Sequence, residues 1–147
     1  MNLSQQLNED MKQAMRAKDK FKLSVIRMIL ASIKNAEIAK GSQLDEGEVL
    51  DIVNRELKQR KDSLQDFENA GREDLAENAR KEIAIITDYL PEQLTEEELK
   101  TIVTQTIQEV GASSKADLGK VMGALMPKVK GRADGKAVNR LVQELLQ

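Results

Sequence analysis

GASSKADLGKVMGALMPKVKGRADGKAVNRLVQELLQ, residues Gly111–Gln147, is the stretch whose reading decides the fold. Leu118, Val121, Met122, Leu125 and Val129 recur at helical spacing, and so do Val138, Leu141, Val142 and Leu145. Gly131 is placed to stop the first of these helices and Asp134 to cap the second. Pro127 falls inside the first stripe and is expected to kink it, because it cannot donate to the carbonyl of Gly123. A short extra turn is expected at Ser114–Leu118. The segment holds seven Lys and Arg against three Asp and Glu, a balance of +4, while the whole chain is −2. Residues 1–110 therefore carry −6. Positive charge gathered in a short module is the usual electrostatic footprint for an anionic partner.

Moving toward the N-terminus, the pattern stays helical. Leu99, Ile102, Val103, Ile107 and Val110 make one face, opened by a Thr95/Glu98 capping box and closed by Gly111. Pro91 ends the preceding helix, since the residue before proline is pushed out of the helical region. Residues 91–94 read as a linker. Upstream, Leu75, Ala79, Ile83, Ile86 and Leu90 share a face, as do Val49, Ile52, Val53, Leu57, Leu64 and Phe67, with Gly71 between the two. Asp45 and Glu48 have capping-box spacing, and Gly41 is a stop for the helix that carries Leu23, Ile26, Leu30 and Ile33. Asp19 caps that helix. Leu3, Leu7, Met11, Ala14 and Met15 mark the first. The expected fold is all-α: an antiparallel array of long helices over residues 1–90, then a three-helix bundle over 95–147.

Composition excludes several classes of function. The 147 residues include neither His nor Cys, so the common zinc sites and the Ser-His and Cys-His nucleophiles cannot form. No disulfide framework exists. Aromatic residues make up 2% of the chain, too few to stack unpaired bases. The Gly119-Lys120 pair lacks the rest of a phosphate loop, which needs glycine at 114 and Ser or Thr at 121; here those are Ser114 and Val121. Glu96, Glu97 and Glu98 read as a helix first turn, where the backbone dipole favours negative charge. No cofactor and no metal is expected. With no signal peptide and no apolar run of the ~20 residues that span a bilayer, a soluble cytoplasmic protein is expected.

The residues with a positive case are Lys128, Lys130, Arg132, Lys136 and Arg140. They surround the Gly131–Gly135 corner, where the last helix begins. A helix start offers free N–H groups and partial positive charge, and the cations add the long-range attraction for phosphate. The group is the candidate RNA-binding site. A second basic group, Lys58, Arg60, Lys61 and Arg72, reads differently. Arg60 falls on an apolar stripe and needs a carboxylate, for which Asp74 or Glu82 is available. Arg27, at the edge of its apolar face, is read in the same structural way.

Gly119-Lys120, Met126, Lys130-Gly131-Arg132-Ala133-Asp134, Val138, Leu141 and Leu145 resemble the tail domain of GatB, a subunit of the transfer-RNA-dependent amidotransferases. Arg27 in KLSVIRMILASIKN, the run LKQRKDSLQDFENAGREDL (57–75) and DYLPEQLTEEEL (88–99) resemble the free-standing YqeY proteins, which carry such a tail on a helical N-terminal half. The resemblance implies a small helical tail bundle that contacts transfer RNA. It also implies a label of carbon–nitrogen ligase with glutamine as amide donor, although GatB chemistry resides in a large domain that nothing here resembles. The function expected is a non-catalytic accessory protein that contacts structured RNA, transfer RNA above all. The alternatives are a helical adaptor docking on a synthetase or amidotransferase subunit, and the ligase activity itself.

Overall fold

Five polar residues set where helices begin. Asn2, Asp45 and Thr95 each accept a hydrogen bond from the backbone N–H three residues on, and the side chains of Gln5, Glu48 and Glu98 accept one from the cap's own N–H. Asp19 accepts from the Lys22 N–H, and Asp134 from the Lys136 N–H. Each pairing satisfies N–H groups that a helix start leaves without partners. A computed structural model describes residues 1–146 of the chain; Gln147, the last residue of the expected bundle, lies outside them. Among the described residues there are seven α-helices and no strand: α1 (Leu3–Arg16), α2 (Lys20–Lys40), α3 (Glu46–Asn69), α4 (Glu73–Thr87), α5 (Glu96–Val110), α6 (Leu118–Val129) and α7 (Gly135–Leu145). A 3-10 turn at Lys115–Asp117 precedes α6. Pro127 sits in the last turn of α6, which runs on to Val129.

The chain divides into two compact units, Met1–Leu90 and Pro91–Gln147. In the first, Leu7 of α1, Val25, Ile26 and Ile29 of α2, Val53 of α3 and Ile86 of α4 are among the core residues. Residues Leu64 and Phe67, expected inward, are only half-buried and lie outside that core. The reason is length. The buried positions of α3 end at Leu57, and the helix runs on to Asn69 beyond them. Met15, expected on the inner face of α1, is 50% exposed.

Arg60 bridges three helices of this unit. Its Nε donates to Glu82 Oε2 at 2.7 Å, and a terminal nitrogen lies 3.3 Å from Glu56 Oε2. Glu56 also accepts from the Ser32 hydroxyl at 2.7 Å, and the Arg60 guanidinium touches the Met28 sulfur. Of the two carboxylates the sequence offered, Glu82 is the partner, while Asp74 pairs with Arg72. Arg27 does not follow Arg60: it is exposed and, among the described residues, pairs with no carboxylate. It stands opposite the buried side of α2, so burial sets no demand for a counter-ion.

In the second unit Leu99 and Val103 of α5, Val121, Leu125 and Val129 of α6, and Val138 and Val142 of α7 form the core. Residues 91–94, expected as a free linker, are part of this unit. The Leu94 N–H donates to the Arg132 carbonyl at 2.9 Å. Gln93 donates to the Gly131 carbonyl at 2.7 Å, and Arg132 Nε donates to the Glu92 carbonyl at 3.1 Å. Leu94 adds its side chain to the core.

Candidate nucleic-acid interface

The corner between α6 and α7 is built by two backbone events. Gly131 adopts a left-handed φ of +77°, which a side chain would strain. The N–H groups of Arg132 and Ala133 then both reach the Val129 carbonyl, at 2.8 and 3.2 Å. This turn sends the chain into α7 with Lys130 and Lys136 on either side of it. Both are exposed, as is Arg140 one turn further along α7. The buried Val138 and Val142 fix which side of α7 faces solvent.

Of the five candidate cations, Lys128, Lys130, Lys136 and Arg140 are exposed. Lys128 and Arg132 make contacts that fix the corner within the unit. The Lys128 ammonium lies 2.7 Å from Glu109 Oε2 and donates to the Thr106 hydroxyl at 3.1 Å, tying α6 to α5. Arg132 is half-buried and holds the Glu92 carbonyl. Its charge also acts on Glu98, whose carboxyl is held below the usual carboxylate range. The main cause there is hydrogen bonding from Thr95, first its N–H and then its hydroxyl, with Arg132 the smallest contribution.

The α7 start is not an open anion cradle. The Asp134 carboxylate lies 3.3 Å from the Lys136 N–H, so the chain supplies its own anion there. A phosphate at this corner is gripped by side-chain cations and not by the helix amides. Gln93 and Leu94, which seat the corner, were invisible to sequence reasoning because their partners lie 38 residues away in the chain. Glu109 was equally silent, since it lies on a different helix from Lys128. Among the described residues no group of three or more His, Cys, Asp or Glu is placed to hold a metal, and no helix is long and apolar enough to cross a membrane.

A two-part helical chain whose second part turns through a glycine corner flanked by exposed cations is the class the fold defines. The chain belongs to the YqeY-like family, whose model, described as "Yqey-like protein", matches residues 4–146. It is similar to a protein named "Altered inheritance of mitochondria protein 41, mitochondrial" in several fungi. With that of Pyrenophora tritici-repentis it is 32% identical over 143 residues, 95% of this chain and 78% of the relative. With that of Saccharomyces cerevisiae it is 33% identical over 133 residues, 90% of this chain and 70% of the relative. With that of Lachancea thermotolerans it is 39% identical over 111 residues, 74% of this chain and 59% of the relative. These names correct the cytoplasmic expectation: the relatives are mitochondrial by name. That expectation rested on a missing export signal, which does not distinguish the cytoplasm from an organelle matrix.

Proposed function

We propose that the protein is an accessory factor that contacts structured RNA, transfer RNA in first place, through the α6–α7 corner. The observation that carries this reading is the exposure of Lys130, Lys136 and Arg140 around a corner seated by Gln93 and Leu94. Three cations on a firmly held turn can follow a phosphate backbone by shape without reading bases. The likeness of this segment to the GatB tail supports transfer RNA as the partner. Amide transfer is not part of the proposal, because neither unit resembles the large domain in which GatB chemistry resides. The protein is expected to give no glutamine-dependent amidation of Asp- or Glu-charged transfer RNA.

Affinity for a transfer-RNA transcript, measured at several salt concentrations, tests the reading. Contact with three to five phosphates gives a log–log salt slope of roughly −2 to −4. The variant K130E/K136E/R140E reverses three exposed charges without touching the core, so its melting temperature should hold while binding is lost. Arg132 is left in place because it seats the corner. Undiminished binding by that variant would remove the corner from the interface.

A further inference from the structure

The most basic stretch of the chain lies in the other unit. Residues 12–36 hold seven Lys and Arg, at positions 12, 16, 18, 20, 22, 27 and 34, against the single carboxylate Asp19, a balance of +6. This exceeds the +4 of residues 111–147 in a shorter span. Over residues 1–90 as a whole, 15 Lys and Arg face 17 Asp and Glu, so the positive edge sits on a slightly acidic unit.

The fold sets three of these seven cations in a row. Lys20, Arg27 and Lys34 are spaced by seven residues along α2, so each step advances about 10.5 Å and drifts only about 20° around the helix. The three form a stripe on the side opposite Val25, Ile26, Ile29 and Ile33, which are buried. All three are exposed, and Ser24 and Ala31 between them are exposed and small. Arg16 and Lys18, also exposed, precede the stripe at the α1–α2 turn. Among the described residues none of these five is paired with a carboxylate; in the same unit Lys40, Arg60, Arg72, Arg80 and Lys81 are, and Arg55, Lys58 and Lys61 are not.

Local stability does not account for the arrangement. A helix start carries partial positive charge and favours acidic residues. The first turn of α2 has none beyond the Asp19 cap, and Lys20 and Lys22 stand there. A row of exposed cations on the side away from the core suits a partner that brings its own negative charge. An apolar protein interface does not fit, because such interfaces centre on aromatic or aliphatic anchors and are depleted in lysine. Insertion into a membrane does not fit either, because the apolar face of α2 is already buried in the core. A phosphate backbone needs only a row of cations and small residues between them that let it come close.

We infer that Lys20, Arg27 and Lys34 on α2, with Arg16 and Lys18 at its start, form a second contact for the phosphate backbone of structured RNA. The partner class is that of the proposed function, but the residues are different and belong to the other unit. The two sites are therefore tested separately in the full-length chain, with a transfer-RNA transcript as probe at 50 to 300 mM potassium chloride. The variant K20E/R27E/K34E should keep its melting temperature, lose at least tenfold in affinity at 100 mM salt, and show a slope shallower by about two to three units. The charge-conserving K20R/R27K/K34R should bind as the wild type does. Loss in this variant alone, with K130E/K136E/R140E unaffected, upholds the α2 site and removes the corner. Loss in both upholds two contacts. An unchanged affinity and slope for K20E/R27E/K34E overturns the inference whatever the corner does. So does wild-type binding to vesicles rich in phosphatidylserine, or to polyglutamate, with none to RNA.

Discussion

Lys18 carries a φ of +56°, the only non-glycine in the left-handed region among the described residues. It closes α1: its N–H reaches the Met15 carbonyl and the Asp19 N–H reaches the Ala14 carbonyl. Gly71 does the same for α3, its N–H on Glu68 and that of Arg72 on Phe67. The two turns share one hydrogen-bond pattern, so the second shows what the first lacks. Lys18→Gly should stabilise the protein by about 0.5–1 kcal/mol, since relief of the side-chain clash exceeds the added freedom of the unfolded chain. Urea unfolding at neutral pH measures it. A loss of stability would show that the lysine stem packs usefully in the turn. Tyr89, the sole tyrosine, offers a second test at this scale. Its hydroxyl donates to Asp10 Oδ2 at 2.6 Å, and burial first, then that carboxylate, push its pKa up from 10.0. The fold thus favours the neutral phenol. This stabilisation is present in full below about pH 10 and is lost as pH climbs from there toward the raised folded value. Phenolate absorbance of the native protein should rise only well above pH 10. Asp10→Asn should move the rise downward, and urea should return it to about 10.

At the scale of the element, α6 is composed against its own helicity. Gly119 and Gly123 lie within it, and a Cβ at either would meet nothing within 4 Å. Neither has positive φ, and both are exposed. No packing requirement in the chain itself asks for glycine. Gly123, mid-helix, is the cleaner probe. Gly123→Ala should add about 0.5–1 kcal/mol by removing backbone freedom from the unfolded state. Thermal unfolding monitored by circular dichroism would show a higher midpoint; an unchanged or lower one would point to a constraint on α6 that its neighbours do not reveal. The same element places Lys128 and Lys130, two residues apart, in different settings. Helical geometry turns Lys128 toward Thr106 and Glu109 on α5, and the chain leaves the helix before Lys130.

For the whole molecule the decisive junction is at Pro91. Cutting there, and not at Thr95, keeps the Leu94 N–H on the Arg132 carbonyl and Gln93 on Gly131. Both fragments, 91–147 and 95–147, contain all three helices of the second unit. The longer should be more stable by about 1–3 kcal/mol, the combined effect of those hydrogen bonds and the partly buried Leu94 side chain. Chains this short have little stability to spare, so the shorter fragment should be only partly helical at room temperature. Equal unfolding midpoints would mean that residues 91–94 do not hold the corner.

What the sequence determined by itself lies within one helical turn of its cause. Asp19, Asp45 with Glu48, Thr95 with Glu98, and Asp134 were readable as helix starts because a cap reaches only two or three residues ahead. Gly41, Gly71, Gly111 and Gly131 were readable as stops because the left-handed conformation strains any side chain. The apolar periodicities followed, and with them the all-helical class. Lys18 escaped because nothing in a lysine announces positive φ. The basic edge of α2 was present in the charge count, but whether those cations were paired depended on which helices came near. Only tertiary structure decided that Glu82 and not Asp74 meets Arg60, that Glu109 claims Lys128, and that Gln93 reaches Gly131. Each of those contacts joins residues about 20 to 40 positions apart. Partners at that separation are chosen by how the buried faces pack, and the charges then pair with whatever the packing brings within reach.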